Sequence, residues 1–258
     1  MSSELRTRTV VGVALIAVAV GALLSGGLLF WALLAAAGVL MMGEWANLVG
    51  ASADHRKAAM FAVSVPLALL CPLAAGIDWA VLVAGAGAFF FIALTSRRIA
   101  LALGVAYICL PIVSLQFLRG QEPNITGLLL AFWALALVWA TDIGAYFAGR
   151  SIGGPKLAPR VSPSKTWSGL AGGVLAALIT GFLLHHFAGL PMPLAAASGL
   201  LAVAAQLGDL LESWMKRRAG VKDSGNLLPG HGGVMDRLDG VATAAPLATL
   251  LFLVLGQG

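Results

Sequence analysis

Long apolar runs, broken at intervals by charged or turn residues, dominate the chain. Nine can be drawn: 10–24, 28–43, 58–75, 79–94, 99–118, 126–148, 168–187, 192–212 and 240–256. Several approach the roughly 20 residues an α-helix needs to cross a bilayer. The pattern therefore predicts an all-α, polytopic transmembrane helix bundle of about nine spans. Ser25-Gly26-Gly27 leads straight from the first run into the second, which reads as a retained helical hairpin rather than a cleaved leader. Pro111 predicts a kink in the fifth run, tolerable where neighbouring helices re-satisfy the backbone.

Composition agrees with the pattern. Of 258 residues, 60% are hydrophobic and 10% charged, against about 25% charged in a soluble domain. The net charge of +5 fits basic loops beside anionic headgroups better than nucleic-acid binding. Cys71 and Cys109 both lie in apolar runs and carry no signature of a disulfide or metal site. With the N-terminus inside, the inward segments hold Arg6, Arg8, Arg56, Lys57, Arg97, Arg98, Arg150, Lys156, Arg160, Lys165, Lys216, Arg217, Arg218, Lys222 and Arg237. These are fifteen of the sixteen Lys and Arg, with Arg119 the exception. That bias predicts an odd number of spans and an outward Gly-Gln-Gly terminus. Residues 1–125 read as N-terminal membrane helices and 126–258 as catalytic membrane helices. Polar chemistry gathers in two inner loops, 149–167 and 213–239.

In "QLGDLLESWMKRR", Asp209, Glu212, Ser213 and Lys216 fall at i, i+3, i+4 and i+7 and share one helix face. A surface Glu212–Lys216 pair is the plain alternative, but Asp209 sits where the apolar run still continues. A carboxylate there is expensive unless paired or holding a cation. In "VKDSGNLLPGHGGVMDRLDG", glycines let backbone approach a ligand, and Lys222 and Arg237 offer donors to phosphate oxygens. Asp223, Asp236 and Asp239 are oxygen ligands suited to Mg²⁺, and His231 suits a phosphate or leaving-group contact. In "WATDIGAYFAGR", Asp142 and Tyr146 share a face. The alternative is an Asp142–Arg150 or Asp142–Lys165 bridge. In "SPSKTWSG", Lys165 can reach a phosphate and Ser162 offers a hydroxyl. Gly169 and Gly173 form a GxxxG pair suited to close helix packing. There is no Walker loop and no paired histidines of a zinc hydrolase. The combination suggests handling of a metal-bound polyphosphate with a lipid partner.

Residues 213–239, "SWMKRRAGVKDSGNLLPGHGGVMDRLD", resemble the phosphatidate cytidylyltransferases, or CDP-diacylglycerol synthases, at every fixed position of their signature. "QLGD", "DIGAYFAGR" and "SPSKTWSG" extend the likeness across most of 139–240. The family loop usually reads close to SPKKT-x-EG, so Ser164 stands for a lysine and Ser168 for a glutamate. The resemblance implies an enzyme of phospholipid biosynthesis that joins CTP and phosphatidate, with Mg²⁺ required and room for a second cation. It further implies a bacterial inner membrane and a site in a cytoplasm-facing polar cleft. Combined with helix geometry, it places Asp209 and Asp236 on the metal, with Ser213 and Asp223 as further ligand candidates. Lys165, Lys216, Lys222, Arg217 and Arg237 would hold substrate phosphates, with His231 near the pyrophosphate. Asp142 would position a lysine or serve the second cation. Gly- and Ala-rich helix faces allow a homodimer.

Two other lipid-phosphate families are weaker matches. A CDP-alcohol phosphotransferase would carry Ala-Arg where Thr243-Ala244 stand, and further acids where none follow Asp239. CTP-dependent polyprenol kinases share the chemistry and stay an alternative. A transporter would show repeats and midplane charges, whereas these charges gather at one face.

Overall fold

The nine apolar runs all fold as α-helices: α1 (Ser3–Ser25), α2 (Gly27–Leu48), α3 (Ala53–Leu69), α4 (Trp79–Ser96), α5 (Ile99–Arg119), α6 (Asn124–Ser151), α7 (Trp167–Ala188), α8 (Met192–Arg218) and α9 (Met235–Leu255). The structure, a computed structural model, describes residues 3–228 and 230–256, with side chains from Thr9 onward. The Arg6 and Arg8 side chains of the charge tally, Pro229, Gln257 and Gly258 lie outside the described residues. The chain is an all-α polytopic membrane protein with one small hairpin added.

Among the described residues, seven helices, α2 and α4 to α9, are long and apolar enough to cross a membrane. The other two have shorter apolar stretches. The apolar part of α1 is Thr9–Ser25, and α3 has 17 residues with charge in its first turns. The run expected over 58–75 stops at Leu69. Cys71 precedes a proline, which disfavours continued helix, and the Cys71 carbonyl instead accepts from the Ala74 and Gly76 amides at 2.8 and 3.2 Å.

Contacts divide the chain into two units. The first takes the chain up to Gln116 together with Arg218–Leu238; the second takes Phe117–Arg217 with the chain from Asp239 onward. In the first, Met41, Met42, Leu67, Leu101 and Ile108 are fully buried or nearly so. Trp45 ties α2 to α5 by donating from Nε1 to the Ala100 carbonyl at 2.9 Å. The second centres on Trp133, Leu137, Leu194 and Leu201, with Trp133 Nε1 donating to Ser198 Oγ at 3.1 Å. There the glycines of α6 and α7 let the helices touch: a Cβ on Gly172 would meet the Gly144 carbonyl at 2.9 Å, and one on Gly173 the Thr141 carbonyl at 2.9 Å. The opposite side of α7 exposes Leu175, Ile179, Leu183 and Phe187 at four-residue spacing, an apolar stripe suited to lipid.

Inside the loop 149–167 lies an antiparallel hairpin, β1 (Lys156–Ala158) and β2 (Ser162–Thr166), paired Lys156 to Thr166 and Ala158 to Ser162. Thr166 then caps α7, its hydroxyl accepting the Gly169 amide at 3.1 Å. The hairpin thus hands Lys165 to a fixed position one residue before a helix cap.

Candidate active site

The second unit brings acidic and basic side chains together around the C-terminal part of α8. Asp209, Ser213, Glu212 and Lys216 do share a face. Ser213 Oγ donates to Asp209 Oδ1 at 3.2 Å, and Lys216 Nζ to Glu212 Oε1 at 3.1 Å. Lys165 arrives from β2 and pairs with Asp209 Oδ2 at 2.5 Å. Of the bridges weighed for Asp142, neither forms: Lys165 takes Asp209, and Arg150 Nη1 donates to the Tyr146 hydroxyl at 2.6 Å. Gln206 Nε2 instead reaches toward Asp142 Oδ1 at 3.5 Å. Asp239, at the start of α9, feels the charges of Asp209, Asp142 and Lys216.

Glu212 departs from the plain surface-pair alternative. Its side chain has no exposure and that of Lys216 only 12%. A buried pair of this kind is costly to break, because one partner's removal leaves the other charge in a poor solvent. Lys216 is therefore committed to Glu212 as well as being a candidate for substrate phosphate.

The glycine-rich segment lies in the first unit. It turns tightly, with Leu228 N donating to Gly232 O at 2.9 Å and His231 N to Leu228 O at 2.8 Å. Gly232 has φ 82°, a left-handed conformation that a side chain would strain. Lys222, Asp223, His231 and Arg237 line a cavity of about 370 Å³ together with this backbone. Lys222, Asp223 and Arg237 are exposed and His231 half-buried, so the cations stay hydrated until a ligand arrives. Asp236 Oδ2 is engaged within the segment itself. That oxygen accepts from Ser224 N, Ser224 Oγ and Gly233 N at 2.9, 2.9 and 2.8 Å. Arg217 is exposed at the end of α8, and Ser162 pairs in the hairpin.

Glu44 of α2, which did not stand out in the sequence, is buried against the same segment. Oε1 accepts the Val234 amide at 2.9 Å; Oε2 accepts the Met235 amide at 2.8 Å and Ser224 Oγ at 3.0 Å. The signal was available, since a carboxylate at the end of an apolar run, one residue past 28–43, is a functional hypothesis by default. Asp239 was read only as one oxygen donor among three. Of the two family departures, Ser168 binds its own loop. Its Oγ donates to Gly153 O at 2.5 Å and pairs with Thr166 Oγ1 at 3.0 Å. Ser164 is exposed.

Hard carboxylate oxygens on Asp209, Asp239 and Asp142 are the right donors for a hard divalent cation. Among the described residues, no three Asp, Glu, His or Cys side chains converge as a complete metal cage. Mg²⁺ requires none when one or two carboxylates and substrate phosphates complete its shell, so the donor set fits.

A model of the cytidylyltransferase family matches residues 6–255. Phosphatidate cytidylyltransferases of Brucella suis and Brucella abortus are each 39% identical over 99% of this chain and 96% of their own length. That of Bacillus subtilis is 47% identical over 128 residues, 48% of each chain.

Proposed function

The chain belongs to the cytidylyltransferase family, and from that premise we propose that it transfers a cytidylyl group from CTP to phosphatidate, giving CDP-diacylglycerol and pyrophosphate. The observation that carries the reading is the gathering of Asp209, Asp239 and Asp142 with Lys165 and Lys216 in an otherwise apolar helix set.

A phosphate monoester has its second pKa near 6, so phosphatidate reaches the site largely deprotonated at neutral pH. Its oxygen attacks the α-phosphorus of CTP, and the bond from that phosphorus to the pyrophosphate oxygen breaks. The nucleophile needs no strong base; it needs two anions brought together and the leaving charge stabilised. Lys222, Arg237 and His231, which line one cavity, would bind triphosphate oxygens over the glycine backbone, and Lys165 would neutralise charge beside Asp209. Asp209 and Asp239 would hold Mg²⁺, with Ser213 as a further oxygen donor and Asp142 available to a second cation. Bound there, the ion supplies charge neutralisation and alignment of phosphate oxygens.

The site works at the cytoplasmic face of a bacterial inner membrane in this reading, supported by fifteen of sixteen basic residues on one predicted side. Gly- and Ala-rich helix faces support a homodimer, which single-molecule photobleaching in nanodiscs would count.

The test is purified protein in nanodiscs with labelled CTP, Mg²⁺ and either phosphatidate or a polyprenol, followed by identification of the lipid product. CDP-diacylglycerol is expected from phosphatidate only. Asp209→Asn and Asp239→Asn should each lower transfer by about 10²-fold or more, the scale of a lost transition-state contact. A phosphorylated polyprenol as the main product, or near-normal transfer by both variants, would overturn the proposal.

A further inference from the structure

Glu44 stands apart from the reacting groups described above, yet it is more heavily engaged than most of them. It is 7% exposed and is the one charged residue of α2. Its two oxygens take the amides of Val234 and Met235, at 2.9 and 2.8 Å. These are among the N–H groups that the start of α9 leaves without an intrahelical acceptor. Glu44 therefore does for α9 what an N-cap residue does, from a helix about 190 positions earlier in the chain. Ser224 Oγ lies 3.0 Å from Glu44 Oε2 and 2.9 Å from Asp236 Oδ2. One hydroxyl proton thus serves two carboxylates and ties them together. Two glycines record how closely the carboxylate approaches. A Cβ on Gly225 would meet Glu44 Oε1 at 2.7 Å, and one on Gly233 would meet Oε2 at 2.5 Å.

The residues fastened this way bracket the 370 Å³ cavity. Ser224 directly follows Lys222 and Asp223, while Val234 and Met235 stand between His231 and Arg237. We propose that Glu44 is a positioning residue for nucleotide binding: its carboxylate clamps both ends of the glycine-rich segment and so sets Lys222, His231 and Arg237 for the triphosphate of CTP. This rests on the cytidylyl-transfer reading.

Glu44→Gln isolates the role. The amide is isosteric, but whichever way it turns, its NH₂ faces a backbone N–H, that of Val234 or that of Met235. The clamp then opens on one side while α2 keeps its shape and hydrophobicity. Initial rates in nanodiscs would be measured over CTP at fixed phosphatidate and over phosphatidate at fixed CTP, with equilibrium binding of labelled CTP alongside. The KM for CTP should rise about tenfold, the scale of one buried donor left unsatisfied. Binding should weaken in parallel, with the KM for phosphatidate unchanged. Ser224→Ala removes only the shared hydroxyl and should raise the KM for CTP about threefold; it decides the matter if Glu44→Gln fails to extract as a monodisperse protein. An unchanged KM for CTP in the folded variant, or a rise confined to phosphatidate, would overturn the proposal. Wild-type protein making no CDP-diacylglycerol would sink the reaction instead, and labelled-CTP binding by wild type and variant would still judge Glu44.

Discussion

Gly208→Ala tests how closely α8 and α9 must pack for the acidic cluster to work. Gly208 immediately precedes Asp209, and a Cβ there would collide with the Asp239 carbonyl and with Thr243 Oγ1. Neither can step aside: one is backbone, and the hydroxyl is held by donating to the Ala204 carbonyl at 2.6 Å. Ordinary contact for a Cβ begins at 3.4 Å, so the helices must part by roughly 1 Å, a displacement that can lower a rate about 10²-fold. Overpacking costs about 1–3 kcal/mol, and replacing glycine within a helix returns up to about 1 kcal/mol. The fold should therefore survive, with a small loss of thermal stability, while kcat falls about a hundredfold. Gly199→Ala on the same helix is the control, because its Cβ would meet Leu178 and Val174 at 3.4–3.5 Å. Activity would be read as CDP-diacylglycerol formed per folded protein, and stability by thermal denaturation in detergent. Full activity in Gly208→Ala would show that the packed cluster is incidental to catalysis.

Two further substitutions separate charge at the site from charge in the scaffold. Lys165→Met removes the cation 2.5 Å from Asp209. Transfer should fall about 10- to 100-fold, the scale of a hydrogen bond to a charged group. Half-maximal activity should also be reached at lower Mg²⁺, since a competitor for Asp209 is gone; an unchanged Mg²⁺ titration would count against that competition. Lys216→Met removes the 3.1 Å donor of the buried Glu212 carboxylate and should cost about 3 kcal/mol of stability. Adding Glu212→Leu should recover much of it, and a single variant that melts like wild type would show the pair to be dispensable.

Much of this architecture is readable from local pattern. Each of the nine apolar runs becomes a helix because lipid leaves the backbone no better way to satisfy its polar groups. The face shared by Asp209, Glu212, Ser213 and Lys216 follows from 3.6-residue geometry alone. What escapes is non-local. Lys165 meets Asp209 because a hairpin forms within a loop whose prolines and charges hide any strand period. Glu44 looks solitary because its partners lie 180–191 residues away. Asp236 and Asp239 share a sequence motif, yet one oxygen of Asp236 is consumed in shaping the glycine-rich turn while Asp239 senses Asp209. Spacing in the sequence could not divide those roles.

The partnership between Glu44 and the start of α9 also imposes a timetable on biogenesis. At about 5–20 residues per second, a ribosome reaches Ser224 roughly 10–40 s after it has made Glu44. Through that interval the second helix carries an acid whose donors do not yet exist, and only water near the membrane boundary can solvate it. Insertion of the early helices is therefore provisional, and the nascent protein becomes one finished object only when its last helix arrives to close the bond.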